Sequence, residues 1–289
     1  MDFAAAMSRA AQEALPAIIA LPFMLIPFII AEQIWPANRR PGWRDYGLNI
    51  LIALSTIYLA LPAGVAAGMA GEALRAYLPW QPFGFSYDDI GALPMAGPLL
   101  KIAAMILLPL LLHDIWFYWA HRIEHRLGFL WEFHKLHHSD EIMNCSTYAR
   151  DHFLQAAWIA LFPAFTLGLL FDMNAAQAGE AALWSSLFLS LLSMFYHSAI
   201  RVRLPWLDRI LVTPQVHRIH HSVDPAHHDS NFADVFPLFD IIFGTYHRPQ
   251  RDDFGPTGLG TDGDKHRTLW RAQFTPAQRG VVRLLRRRT

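Results

Sequence analysis

Apolar residues fall in long unbroken runs along this chain, not in the short stripes of period 2 or 3.6 that mark a soluble domain. Leu15 to Ala31, Tyr46 to Gly71 and Phe153 to Phe171 carry no charged side chain, and Ala181 to Ile200 holds only His197 as a titratable group. A further run begins near Met95 and, interrupted by Lys101, continues through IAAMILLPLLL to His113 and Asp114. A helix needs about 20 mostly apolar residues to cross a hydrocarbon core of roughly 30 Å. One such run fits a buried core helix; four or five in one chain predict an all-α integral membrane bundle of four or five spans.

Charge placement predicts orientation. Arg39, Arg40 and Arg44 follow the first run, whereas the segment between the second and third runs sets only Arg75 against Glu72, Asp88 and Asp89, which puts the first loop on the cytosolic side. Counting spans then brings Arg122, Arg126, Lys135, Arg150 and the Arg-rich C-terminus to that side, and DMNAAQAGE to the opposite one. A re-entrant hairpin in place of the fourth and fifth spans would leave this unchanged. The N-terminus lacks a basic stretch directly before its apolar run, so the first span is expected to be retained and not cleaved.

Composition narrows the chemistry. The 289 residues are 53% hydrophobic and 17% charged, and 24 Lys+Arg balance 24 Asp+Glu, leaving no global positive field to hold nucleic acid. The single cysteine, Cys145, rules out an intrachain disulfide and a thiolate metal box, and reads as a small buried filler. Gly258 to Gly263 formally matches a dinucleotide fingerprint, but no apolar strand precedes it. Histidine is in excess: all fifteen lie at or beyond His113.

Three histidine clusters stand out, His121-Arg-Ile-Glu-His125, His134-Lys-Leu-His137-His138 and His217-Arg-Ile-His220-His221. Residues three and four apart share a helix face, so each cluster gathers its imidazoles on one arc. His197 closes an apolar run, where an ionisable group is by default functional. Nine imidazoles are too many for one tetrahedral ion and suit two metals of four or five ligands each. Imidazole accepts zinc, iron, copper or nickel. A nitrogen-rich pair of redox metals at the mouth of a membrane bundle suits O₂ activation and attack on an unactivated C–H bond; zinc has no second oxidation state for that, so two iron ions (Fe²⁺/Fe³⁺) are expected.

The ordered motifs Asp114-x-x-Phe117-Tyr118-x-x-His121-Arg122-x-x-His125, Trp131 to Ser139, Phe195 to Ser198, Thr213 to Ser222, Asn231-Phe232 and Phe243 to Tyr246 resemble those of the fatty acid hydroxylase / sterol desaturase superfamily. The resemblance spans about Leu110 to His247 and implies a membrane-bound non-haem di-iron oxygenase that hydroxylates or desaturates a lipid. It implies metal ligation by His121, His125, His134, His137, His138, His217, His220 and His221, with His197 as a ninth ligand. Asp114 and Asn231 match catalytic-site positions that would orient the ligands. The implied division is an N-terminal transmembrane region (1–100), a catalytic domain held in a cytosolic histidine-rich cap (101–250), and a cytosolic loop with a basic tail (251–289). Electrons would come from a separate ferredoxin or cytochrome-like donor, and the Ala- and Arg-rich composition points to a bacterial inner membrane.

Further residues are weighed beside these. His227 and His228 are extra ligand candidates, while His113, His152, His247 and His266 read as supporting or surface groups. Glu124 reads as an exposed helix carboxylate, or as a proton relay. The tail helix reads as solvated or as touching anionic headgroups. Two rival functions remain. His121-x-x-Glu124-His125 has the arrangement of an inverted zinc metalloprotease motif, but it uses one cluster of three. A non-enzymatic membrane metal or haem carrier would want ligands deep within its spans.

Overall fold

The computed structural model describes residues 2–77, 98–170, 187–260 and 268–286, whose regular elements are all helices, joined by loops that hold two isolated β-bridges, Pro36 to Ile200 and Ser222 to Thr257. The described helices run α1 Phe3–Ile34, α2 Trp43–Arg75, α3 Pro98–Arg126, α4 Gly128–His138, α5 Phe153–Leu170, α6 Leu187–His197, α7 Pro214–His220, α8 Leu238–Phe243 and α9 Leu269–Arg286. The DMNAAQAGE loop, Asp88, Asp89, Met95, His266 and the end of the glycine fingerprint lie outside the described residues.

Both α1 and α2 are long and apolar enough to cross a membrane. The side chain of Asp2 caps α1 by accepting the Ala5 N–H at 2.7 Å. Along α1, Leu15, Ile19, Phe23, Ile26, Ile30 and Ile34 stand at steps of three and four on one face, each about half exposed or more. An apolar stripe of that length would be costly in water and is at no cost against lipid, which gives the chain its membrane association. Four or five spans were expected; among the described residues two helices meet the length and composition of a span, and α5 and α6 offer shorter apolar stretches, Phe153–Thr166 and Leu187–His197.

Helices α2 and α5 touch backbone to backbone. A Cβ placed on Gly71 would lie 2.3 Å from the Phe165 carbonyl oxygen and 3.0 Å from the Leu169 nitrogen. Gly71→Ala must therefore push two helices apart, and is expected to cost about 1–3 kcal/mol. The check is a lower unfolding midpoint of the detergent-solubilised variant; an unchanged midpoint would contradict this packing.

The tail helix α9 is a structural part of the protein. Ala272, Gln273, Pro276 and Gly280 form its buried face, and Gly280 receives the rings of Phe129 and Phe133 from α4. Gln273 Nε2 donates to Ser55 Oγ (3.0 Å) and Thr56 Oγ1 (3.1 Å) of α2, and its carbonyl oxygen accepts from His152 Nε2 at 2.8 Å. The segment expected to be solvated or headgroup-bound, from Gln278 onward, follows this face, and of it Gly280 is buried while Gln278, Arg279 and Val282 are exposed.

Two buried polar groups position the helices that carry histidine. Glu32, at the end of α1, accepts from Tyr46 Oη (2.5 Å), the Cys145 N–H (2.6 Å) and the Ala199 N–H (2.8 Å), so it holds the segment after His197. Arg150 donates to the Leu136 carbonyl oxygen (3.1 Å), Ser139 Oγ (3.0 Å) and Asn49 Oδ1 (2.7 Å), closing the C-terminus of α4 on α2. A cation on those last carbonyls suits the helix dipole.

Candidate metal centre

The nine imidazoles fall into two adjacent groups. His121, His125, His134, His138 and His220 form one, and His137, His197, His217 and His221 the other; within each group one ring nitrogen per residue lies within 4.8 Å of all the rest. Helix periodicity explains the division. On α4, His134 and His138 are four apart and share a face, while His137 turns to the second group. On α7 the pattern inverts: His217 and His221 pair in the second group and His220 turns to the first. Thr213 starts α7 by capping it, its Oγ1 accepting the Val216 N–H, and Pro214 supplies a preset φ at its first turn.

Backbone carbonyls fix several ring tautomers. His121 Nδ1 donates to the Phe232 carbonyl oxygen (2.8 Å), His220 Nδ1 to that of Ser230 (2.8 Å), and His197 Nδ1 to that of Ser193 (2.9 Å). With the proton on Nδ1, each Nε2 turns a lone pair inward. Burial holds His134, His138, His217 and His221 well below the usual imidazole range and pushes His220 down to about 3, so these rings are neutral.

Nitrogen atoms packed this way fit a cation. Nε2–Nε2 separations are 3.0 Å for His121–His134, 3.0 Å for His134–His138, 3.1 Å for His137–His197, 2.9 Å for His197–His217 and 3.1 Å for His217–His221. Ligands held about 2.1 Å from one ion and at right angles to each other stand about 3.0 Å apart. His125 Nε2 and His220 Nε2 are buried with no hydrogen-bond partner, as are His217 Nδ1 and His221 Nδ1. Converging neutral lone pairs repel unless a positive ion lies between them, so the donor set suits two transition-metal ions and lacks the oxygen cage of magnesium or calcium.

The supporting residues act at one remove. Asp114 accepts the backbone N–H groups of Asp234, Val235 and Phe236 at 2.9, 2.9 and 2.8 Å. Asn231, at φ +56°, donates to the carbonyl oxygens of Val216 (3.0 Å) and His247 (3.1 Å) and accepts the His247 N–H at 2.8 Å. Both hold backbone, and among the described residues neither has a hydrogen bond to an imidazole, so any orienting of the ligands would pass through the backbone they hold. They are positioning residues for the segment that carries the Ser230 and Phe232 carbonyls.

Glu124 is buried, not exposed: its Oε2 lies 3.3 Å from His134 Nδ1, and burial raises its carboxyl well above the usual range. It faces the outer nitrogen of a ring whose inner nitrogen joins the cluster, which is no position for a protease general base. His113 pairs with Asp234 Oδ2 at 2.8 Å, His152 is a satisfied structural histidine, His228 is exposed, and His227 stands beside His247.

Two residues escaped the sequence reading. Gln155 on α5 meets His134 Nδ1 at 2.8 Å through its side-chain amide, and Asp240 accepts from the Phe232 and Ala233 N–H groups, both at 2.8 Å, and from Thr245 Oγ1 at 2.7 Å. A polar side chain inside the apolar run Phe153 to Phe171 was the available signal for Gln155.

With only helices as its described regular elements, apolar enough to associate with a membrane, and built around nine converged imidazoles, the protein has the features of a histidine-box membrane oxidoreductase. Residues 106–245 match the model of the fatty acid hydroxylase family. The ornithine lipid hydroxylase of Rhizobium tropici is 29% identical over 86% of this chain and 70% of its own length. Human alkylglycerol monooxygenase is 35% identical over 46% of this chain, and human cholesterol 25-hydroxylase 32% over 53%. The chain covers 28% of the former and 55% of the latter. No solved structure matches. Residues 106–245 thus form a fatty acid hydroxylase domain, and with relatives named as lipid hydroxylases and monooxygenases the protein is an oxidoreductase.

Proposed function

We propose that the protein is a membrane-bound non-haem di-iron oxygenase that hydroxylates a polar membrane lipid, using O₂ and electrons from a separate ferredoxin or cytochrome-like donor. The observation that carries this reading is the pair of imidazole groups, five and four, each with its ring nitrogens within 4.8 Å of one another. Two irons bound there would supply O₂ activation, which zinc cannot. The names of the relatives favour oxygen insertion over desaturation. The ornithine lipid hydroxylase matches beyond the shared domain, over 253 residues, and this favours a polar lipid over a sterol.

The chain's own groups would do the rest. His121, His125, His134, His138 and His220 would hold one iron, and His137, His197, His217 and His221 the other. The Phe232, Ser230 and Ser193 carbonyls keep the outer ring protons in place, and the burial of the rings excludes bulk water. Gln155 would turn its amide oxygen to His134 Nδ1, because that nitrogen must keep its proton for Nε2 to bind metal. The substrate tail would enter laterally from the bilayer, and the site would lie on the cytosolic side of a bacterial inner membrane, following the loop charges.

Metal analysis of purified protein, with mass spectrometry of lipids incubated with O₂ and a reductant, tests the whole reading. About two irons per chain and products 16 mass units heavier are expected. A loss of 2 units would mean a desaturase, and one zinc with peptide cleavage would mean the protease alternative. Gln155→Leu removes the nearer of the two groups at His134 Nδ1, leaving Glu124 Oε2 at 3.3 Å, and is expected to weaken metal affinity about 10-fold, read by competition with a chelator.

A further inference from the structure

We propose a third metal site outside the nine-histidine centre, formed by His227, His247 and Asp253, that takes one divalent transition-metal ion and clamps the segment supporting the first imidazole group. The three side chains bring ligand atoms within 4.8 Å of one another, and all three residues are half-buried. Two imidazoles and a carboxylate, with a water completing the shell, make a donor set suited to zinc or to ferrous iron.

The site is held ready by its backbone. His227 donates its N–H to the Asp224 carbonyl oxygen at 3.0 Å, and its own carbonyl oxygen accepts from Ser230 Oγ at 2.6 Å. Both backbone groups of His247 are bonded to the Asn231 side chain. The chain between His247 and Asp253 is tied to α7 where Gln215 Nε2 donates to the Gln250 carbonyl oxygen at 2.5 Å. Asp253 Oδ2 accepts the Gln250 N–H at 2.6 Å. On the first histidine, Nδ1 is buried with no hydrogen-bond partner. A buried polar nitrogen without a partner is costly, and a metal ion satisfies it.

The position gives the ion a role. His227 lies three residues before Ser230 and five before Phe232, whose carbonyls fix His220 and His121. Asp229, between His227 and Ser230, has Oδ1 3.9 Å from His125 Nδ1. An ion joining His227 to the 247–253 segment would pin the stretch whose carbonyls orient two imidazoles of the group of five, His121 and His220. This role is additional to the iron chemistry proposed above and does not depend on it.

Zinc titration of tag-free, full-length protein in detergent, already loaded with iron, is the test. Isothermal calorimetry with metal analysis after desalting should show one zinc equivalent per chain taken up with no loss of iron. His227→Ala and Asp253→Asn should each weaken that equivalent more than about 100-fold, beyond the effect of losing a mere supporting group. The difference of one equivalent between wild type and variants is independent of which metal fills the larger groups. No uptake by the wild type, uptake matched by iron release, or the same equivalent persisting in both variants overturns the proposal. Asp253→Asn changes one half-buried loop carboxylate, so it keeps the test valid if His227→Ala folds poorly.

Discussion

In the His137→Ala variant, turnover is expected to fall by more than about 100-fold and one metal per chain to be lost, while the protein still inserts and folds. The figure follows because removal of a group that merely supports a ligand already costs about 10–100-fold. His137 is the single member of α4 in the second group, which drops from four imidazoles to three. Its Nε2 lies 3.1 Å from that of His197, so the variant leaves a gap at the contact between α4 and α6. Folding should tolerate this, because α4 remains held by Arg150 at one end and by α9 along its side. Iron content, product mass and yield of membrane-inserted protein check the three parts separately. Wild-type turnover with full metal content would refute the ligand assignment.

The second large effect concerns stability. Asp114→Ala removes the acceptor for three backbone N–H groups at 234–236 in a fully buried position. A buried donor left unpaired costs about 1–3 kcal/mol, so the variant should lose about 3–5 kcal/mol. Asp114→Asn keeps one acceptor oxygen and should lose less. Thermal unfolding in detergent orders the three proteins as wild type, Asn, Ala. An alanine variant as stable as the wild type would show that the segment after Phe232 is held by other contacts.

What could be read from the sequence divides along physical lines. The histidine spacings are local, and helix periodicity turns three-and-four spacing into a shared arc, so His121, His125, His134, His137, His138, His217, His220 and His221 could be named as a set. His197 was found because a titratable group at the end of an apolar run is expensive. The five-to-four division was not legible, because it depends on the rotation of α4 and α7 about their axes, which tertiary packing sets. Glu124 was misread for a related reason: most of its neighbours in the chain are polar, and its burial comes with tertiary packing that brings it to His134 of α4. Asp114 and Asn231 were correctly picked out as special positions, but their partners are backbone groups over a hundred and about fifteen residues away. The packing of α9 was hidden because its buried face is built from Ala272, Pro276 and Gly280, residues that read as weak or breaking positions in a helix. Apolar runs identified membrane association, while the topology across it stays with the loop charges.

The crossed allotment of α4 and α7 has one more consequence. Each short helix lends a close pair of rings to one group and a single ring to the other, with the roles reversed between them. Any slide or twist of either helix therefore disturbs both groups at once. Loss of either His-x-x-His-His motif would therefore strip ligands from both groups, whereas loss of His121 and His125, or of His197, would strip only one.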